Sequence, residues 1–341
     1  MLPGVQPWAE RGSAASERKA AGDVRAVVVG AGSWGSAFAC VLRDRGHEVT
    51  IAGRDPEQVR AIAETARNPR YLRSADLSGI VATTIADAPV EEAELVVVSV
   101  PSRVFGEVVA ALPGSASILT LTKGLDPASG NLLHTLVEGR PVAVLSGPTF
   151  AQEIAAGLPC AAVIASRNEA LAERLQREIN SSLFRVYVNT DLTGVEFCGA
   201  AKNVIALAAG GVDGLRLGDN AKAGVITRGV AEMTRLGSAC GARPETFAGL
   251  AGMGDLMVTC WSRLGRNRRA GELIARGATP DEAAAEIGQV VEGLPTAPVL
   301  RDLSHRLGIE LPITEAVCGI LEGQSLQELA ASLMGRRPKG E

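Results

Sequence analysis

Aromatic side chains make up only 3% of this 341-residue chain, so its core is expected to be built from Ala, Val, Leu and Ile. Histidine is scarcer still, and His47, His134 and His305 stand far apart. The six cysteines, Cys40, Cys160, Cys198, Cys240, Cys260 and Cys318, contain no Cys-x-x-Cys pair. No metal site is therefore expected. Set in apolar segments, the cysteines read as buried, reduced thiols of a cytoplasmic protein. No uninterrupted apolar run approaches the ~20 residues of a membrane-spanning helix. The first 23 residues lack an apolar signal core and read as a disordered leader. Lys and Arg number 34 against 38 Asp and Glu, a net charge of −4. Neither nucleic acid nor an anionic membrane is an expected partner, and any phosphate site must be a local cluster. With 46% hydrophobic and 21% charged residues, the remainder is ordinary for a soluble globular chain of about two domains.

What the chain does have is Val27-Val28-Val29-Gly30-Ala31-Gly32-Ser33-Trp34-Gly35-Ser36-Ala37. A β-branched run breaks into Gly-x-Gly-x-x-Gly, and an Ala-rich segment follows. That is strand, tight turn, helix. Gly30 permits the reversal, Gly32 lets backbone approach a pyrophosphate, and Gly35 lets helix and strand pack closely. The new helix turns unpaired N–H groups and a partial positive charge toward the phosphates. A second strand, 48–52, ends in Gly53-Arg54-Asp55. A strict NAD fingerprint expects an acid there. Arg54 stands 24 residues after Gly30 instead and suits a 2′-phosphate, which favours NADPH with NADH tolerated. The competing view makes Arg54 a solvated loop charge and Asp55 a cap for the helix opening at Pro56; both can hold together.

Strands are expected at 24–29, 48–52, 80–84, 95–100, 117–121, 142–145, 161–165 and 184–188, alternating with helices at 35–45, 56–66, 104–112 and 168–180. Residues 95–100, Leu-Val-Val-Val-Ser-Val, are almost wholly apolar, as in a parallel strand covered on both faces. Leu121-Thr122-Lys123-Gly124 follows a strand's end, where ligands sit in open α/β sheets. The fold class is α/β, a Rossmann-type doubly wound sheet over residues 24–190, followed by an all-α domain over 191–341. Asp191 or Thr193 would cap the first helix of that domain, Thr279-Pro280 opens another, and 325–333 is the last.

In the second domain, residues 197–209 are small and apolar apart from Lys202 and Asn203. Such a helix should be buried. A buried lysine needs a partner and has a lowered pKa, which suits proton transfer with an alcohol near neutral pH. The alternative is a lysine snorkelling from a half-exposed helix. Asp255 is the only charge in the glycine-rich run 249–260 and can hold such a lysine, or merely cap a helix. Glu196 lies off the lysine's face. Arg263, Arg266, Arg268 and Arg269 fall within seven residues, either a phosphate-binding cluster or a solvated surface run.

These motifs in this order resemble the bacterial-type NAD(P)-dependent glycerol-3-phosphate dehydrogenases, from residue 24 onward. They include Gly30–Gly35, Leu121–Gly124, Ser146-Gly147-Pro148-Thr149-Phe150-Ala151, Gly199-Ala200-Ala201-Lys202-Asn203, Gly254-Asp255-Leu256, Arg266-Asn267-Arg268 and Val290-Val291-Glu292-Gly293. The resemblance implies that Lys202 is the proton acceptor. It also implies cofactor contacts at Ser33, Trp34, Arg54, Tyr71, Ala151, Val290 and Glu292, beside Gly30, Gly32 and Gly35. Lys123 would touch both cofactor and substrate, and Arg266 would do the same while anchoring the substrate phosphate with Asn267. Gly147, Thr149, Asp255 and Gly265 would line the substrate site. Gly265 departs from the serine usual before Arg-Asn, so a hydroxyl contact is lost or replaced by a backbone N–H. The implied reaction is reversible reduction of dihydroxyacetone phosphate to sn-glycerol 3-phosphate, feeding glycerophospholipid synthesis. A homodimer is left open. A β-hydroxyacid or 6-phosphogluconate type dehydrogenase also joins a Rossmann domain to a helical one and uses a lysine. A non-catalytic NAD(P)H sensor would share the turn but gives no reason for Lys202.

Overall fold

The computed structural model describes residues 24–325 and residue 335. The expected leader, 1–23, and residues 326–333 of the expected last helix lie outside them. Eight strands form one sheet: β1 Arg25–Val29, β2 Glu48–Gly53, β3 Val81–Thr84, β4 Leu95–Val98, β5 Ser117–Thr120, β6 Val142–Ser146, β7 Cys160–Ala165 and β8 Phe184–Asn189. Their spatial order is β3-β2-β1-β4-β5-β6-β7-β8. The order reverses between β1 and β4, which is the switch point where open α/β sheets bind ligands. All neighbours are parallel except β6 and β7, which run antiparallel. The sequence pattern does not anticipate that join. The connection 147–159 stays at one end of the sheet, so the chain can only return along β6 in the opposite sense.

Four helices cover the sheet: α1 Ser33–Asp44, α2 Pro56–Thr65, α3 Ser102–Ala111 and, past the five-residue α4 Ala151–Ala155, α5 Glu169–Ile179. Alternation along the strands serves both faces. Val28 and Val97 pack into the core under α1, while Val27, Val29, Val96 and Val98 pack with Phe105 and Val109 of α3. The expectation of an aromatic-free core fails here. Phe38, Phe105, Phe197 and Phe247 are among the largest fully buried side chains. The few aromatics are spent where a single ring fills the gap between two elements.

At Asn189 the sheet ends, and Asp191 caps the next helix by accepting from Gly194 N at 2.9 Å. That helix, α6 Leu192–Gly214, is the axis of the second half, buried among α7 Gly218–Ala239, α8 Pro244–Ala248, α9 Asp255–Trp261, α10 Arg266–Ala275, α12 Gly293–Leu307 and α13 Pro312–Leu321, while α11 Pro280–Ile287 packs on α10. Among the described residues no strand follows Asn189. By length and composition α6 could cross a membrane, which a search for uninterrupted apolar runs misses because Glu196 and Lys202 interrupt it. It is buried inside the protein along nearly its whole length. Glycines set its closest contact: a Cβ on Gly210 would lie 1.9 Å from the Arg268 carbonyl oxygen, and one on Gly271 2.0 Å from that of Leu207. This backbone-to-backbone approach of α6 and α10 brings Lys202, Asn203 and Asn267 to one place.

The six cysteines are unpaired; Cys40, Cys198, Cys260 and Cys318 are buried, while Cys160 and Cys240 are half-buried rather than enclosed. Burial pushes the Cys160 and Cys260 thiols up to about 12, so neither is a ready thiolate.

Candidate active site

A cleft of about 530 Å³ runs between the C-terminal end of the sheet and the helical half. Apart from three of the four clustered arginines, every residue nominated from the sequence lines it except Gly35 and Gly147. Gly35 instead carries α1 onto the turn, since a Cβ there would sit 2.0 Å from the Gly30 carbonyl oxygen. Gly147 contributes its carbonyl oxygen, which accepts from Lys123 Nζ at 3.3 Å.

The glycine turn is held from both sides. Gly30 has φ +116° and donates to the Ala52 carbonyl at 2.8 Å. The Ala31 carbonyl accepts from Gln58 Nε2 at 2.7 Å and Asn68 Nδ2 at 2.9 Å, two positioning residues the sequence did not single out. The first intrahelical bond of α1 comes from Ser36 N to the Gly32 carbonyl, so the N–H groups of Ser33, Trp34 and Gly35 precede it. Nothing lies within 4 Å of a Cβ built on Gly32, and the buried Trp34 Nε1 has no hydrogen-bond partner. Open space over the turn, unpaired donors and a free indole N–H together fit a pyrophosphate-bearing nucleotide. Gly30→Ala would put a Cβ 2.2 Å from the Ser99 carbonyl oxygen at a φ that favours glycine. The expected cost is about 3 kcal/mol, read as a lower urea midpoint with the slope unchanged.

At the end of β2, Asp55 is fully used. It caps α2 by accepting from Glu57 N at 3.0 Å, and it pairs with Arg70 at 3.4 Å. Arg54 is exposed on the cleft wall. The acid is thus a helix cap and the arginine is the side chain offered to a ligand. Tyr71 sits alongside, under the Arg70 guanidinium, and its carbonyl accepts from Ser33 Oγ at 3.1 Å.

Across the cleft stands the buried charge cluster. Lys202 Nζ donates to Asp255 Oδ1 at 2.5 Å and to Thr259 Oγ1 at 3.0 Å. Lys123 Nζ, reaching over from the end of β5, donates to Asp255 Oδ2 at 2.7 Å. Burial pushes the Lys202 amine from its ordinary value down to about 7; the Asp255 charge opposes this and the Lys123 charge adds to it. Burial by itself would raise Asp255, but the two lysines hold it below the usual carboxylate range. One carboxylate therefore serves two amines, and the deeper amine is the one able to exchange a proton near neutral pH. Lys202 does not snorkel: it is 6% exposed. Thr259 was missed in the sequence, although it stands four residues after Asp255 on one helix face.

The arginine cluster divides. Arg268 turns inward to Asp213 at 2.5 Å and Arg269 outward to Glu286 at 2.8 Å. Arg263 does not reach the cleft either, so of the four only Arg266 lines it. Arg266 is open to the cleft and donates to the Val290 carbonyl at 2.8 Å. Asn267 is largely committed: its Oδ1 accepts from Gly293 N at 2.9 Å and its Nδ2 donates to Asn203 Oδ1 at 2.8 Å. One amide hydrogen remains, together with the unpaired N–H groups of the first turn of α10. Gly265, the N-cap, explains its own departure from serine: a Cβ would meet the Thr259 carbonyl oxygen at 2.5 Å. Thr149 is half-buried on the opposite side, its hydroxyl donating to the Gly147 carbonyl at 3.0 Å. Ala151 opens α4 beside it.

The segment before α12 bridges the two halves. Gln289 Oε1 accepts from Ser33 Oγ at 3.3 Å, and the Glu292 carboxylate accepts from Ser102 N at 3.1 Å and Ser102 Oγ at 2.6 Å. Gln289 and Ser102 carried no motif in the sequence, because their partners, Ser33 and Glu292, stand 256 and 190 positions away. Glu196 is occupied elsewhere, accepting from His134 N at 3.1 Å and bonding its ring Nδ1.

A Rossmann sheet whose glycine turn opens on the same cleft as a buried lysine–carboxylate pair defines a nicotinamide-nucleotide dehydrogenase of the two-lobed, lysine-dependent class. The chain matches the family described as NAD-dependent glycerol-3-phosphate dehydrogenase, its N-terminus over residues 25–172 and its C-terminus over 191–331. The chain belongs to that family. It is 44% identical over 325 residues to glycerol-3-phosphate dehydrogenase [NAD(P)+] of Stenotrophomonas maltophilia, covering 92% of this chain and 95% of the relative. The Nocardia farcinica protein of the same name is 46% identical over 339 residues, at 93% and 99% coverage. The crystal structure of glycerol-3-phosphate dehydrogenase from Coxiella burnetii superposes with a TM-score of 0.88 at 38% identity, covering 92% of this chain and 99% of that one. Ketopantoate reductase from Ralstonia eutropha, at 19% identity and a TM-score of 0.54, shares the fold alone.

Proposed function

We propose that the protein reduces dihydroxyacetone phosphate to sn-glycerol 3-phosphate, reversibly, with NADPH preferred and NADH accepted. The observation that carries this is the Lys202–Asp255–Lys123 cluster facing the glycine turn across one cleft. A nicotinamide nucleotide held by the Gly30–Gly35 turn and Arg54 would supply the hydride for C2 of the substrate. Lys202 gives its proton to the C2 oxygen as negative charge develops there and takes it back in the reverse direction. Asp255 orients that amine and keeps it from drifting, with Thr259 sharing the second bond. Lys123 adds positive charge beside the same oxygen. Arg266, the spare Asn267 amide hydrogen and the first turn of α10 hold the phosphate, so that binding energy far from C2 orients C2. Excluding water from the cluster strengthens each of these contacts.

The identifying experiment is a steady-state assay. NADPH oxidation should require dihydroxyacetone phosphate and should not occur with β-keto acids; turnover of the keto acids alone would overturn the assignment in favour of the β-hydroxyacid class.

The lowered Lys202 pKa sets the sign of the pH dependence. Reduction needs the protonated amine, so kcat/KM for reduction should fall about tenfold per pH unit above about 7. Oxidation needs the neutral amine and should fall about tenfold per unit below the same point. Profiles flat from pH 6 to 9 in both directions would remove Lys202 from the proton transfer.

For the cofactor, Arg54→Ala should weaken NADPH binding by ~30-fold through loss of a charge-assisted phosphate contact and leave NADH within ~2-fold. Equilibrium titration of each nucleotide measures this. Equal losses for both would mean that Arg54 does not read the 2′-phosphate.

A further inference from the structure

Three contacts tie the lobes together around the cleft: Lys123 to Asp255, Ser33 to Gln289, and Ser102 to Glu292. The last two belong to one short segment, 289–292, and that segment also holds the substrate-side arginine through the Val290 carbonyl. Ser102 opens α3, on the nucleotide lobe, and is 1% exposed. Both its N–H and its hydroxyl go to the Glu292 carboxylate, so the carboxylate sits at the N-terminus of a ten-residue helix, where the dipole favours negative charge. Gly124, just after Lys123, leaves room for this contact: a Cβ there would lie 2.8 Å from Ser102 Cβ and 3.5 Å from Glu292 Oε2. Arg266 Nη1 donates to the Val290 carbonyl at 2.8 Å, two residues before the anchored carboxylate. The Glu292 and Arg266 charges also act on each other.

We infer that Ser102 is a positioning residue for substrate phosphate binding: by anchoring Glu292 it fixes the 289–292 segment, and the Val290 carbonyl in that segment sets the direction of the Arg266 guanidinium. Ser102 lies on the nucleotide lobe and Arg266 on the helical one, so the tie joins the phosphate site to the opposite wall of the cleft. The link rests on Arg266 being the phosphate anchor, as proposed above. No motif marks Ser102, because its effect passes through a residue 190 positions away. Releasing the hydroxyl leaves Glu292 with the Ser102 N–H alone, which loosens the segment without emptying it. The consequence is a less well-directed Arg266, not a lost one.

The test uses the full-length enzyme. Ser102→Ala should raise KM for dihydroxyacetone phosphate about 5- to 10-fold with kcat within twofold. Inhibition by inorganic phosphate, competing with the substrate, should weaken by the same factor. Turnover of dihydroxyacetone, which has no phosphate, should not change. Ser102→Thr keeps the hydroxyl and should restore the wild-type KM. In an Arg266→Ala background, Ser102→Ala should add less than about 1.5-fold, because the residue through which it acts is gone. Additive losses, a fall in kcat at unchanged KM, or failure of threonine to restore KM would each overturn the inference. An unchanged unfolding midpoint for Ser102→Ala separates this result from general loosening; a large drop that accompanies equal losses for both substrates would overturn it too. If the wild-type enzyme does not turn over dihydroxyacetone phosphate, the functional reading fails by itself, and direct titration of inorganic phosphate into wild type and Ser102→Ala still decides whether the tie exists.

Discussion

Replacing Lys202 with alanine is expected to lower kcat for dihydroxyacetone phosphate reduction by about 10³-fold and to change its KM by no more than ~3-fold. Loss of a positioned general acid costs 10²–10⁴ in rate, and here the same amine also brings positive charge to the developing alkoxide. The site has no substitute. Lys123 lies within reach of the same carboxylate, but it is engaged with Asp255 and the Gly147 carbonyl. Lys202→Arg separates proton from charge. Arginine stays charged at every accessible pH and is a poor proton donor, so it should recover little turnover, and the break near pH 7 should vanish from what remains. Near-wild-type kcat in Lys202→Ala, or substantial recovery in Lys202→Arg, would move the proton to another group. Stopped-flow measurement of the hydride step, with direct cofactor titration as the binding control, makes the comparison.

Arg266→Ala should raise KM for dihydroxyacetone phosphate by about 10²-fold, roughly 3 kcal/mol, with a smaller fall in kcat. Arg266 is the only member of its arginine cluster that lines the cleft. Asn267 has spent most of its hydrogen-bonding capacity on Gly293 and Asn203. No other arginine of the cluster can therefore replace the guanidinium. The remaining donors are neutral N–H groups of the first turn of α10, worth less against a dianion than a fixed fork. The small loss in kcat follows from phosphate binding energy that orients C2. Dihydroxyacetone without its phosphate should be turned over equally by both enzymes. An unchanged KM would place the phosphate elsewhere in the cleft.

Much of this was legible along the chain because its determinants are local. The β-branched run before Gly30, the Pro56 and Pro280 helix starts, the Asp191 cap and the apolar setting of Lys202 each declare themselves within a few residues. Lys202 could be picked out because an isolated amine in a small-residue helix is costly without a partner, and Asp255 because it is the lone charge in its run. Composition misled in one respect. Few aromatics does not mean an aromatic-free core, because a handful of phenylalanines placed between elements fills more volume per residue than any aliphatic. Charge density misled in another. Four arginines in seven residues read as one cluster, yet a helix turns about 100° per residue, so Arg268 and Arg269 point toward different partners from Arg266.

By itself the sequence determined the strand–turn–helix of the glycine turn, the apolar strands of the sheet and the apolar setting of Lys202, since period, capping and burial pattern act over short spans. Only the tertiary structure decided which groups meet. Packing of α6 against α10 through Gly210 and Gly271 brings Asn203 to Asn267, and the two lobes bring Lys123 to Asp255 and Ser102 to Glu292. The physical reason is that such contacts depend on how whole elements stack, and hydrogen bonds between residues 64 or more positions apart leave no periodic trace in the chain.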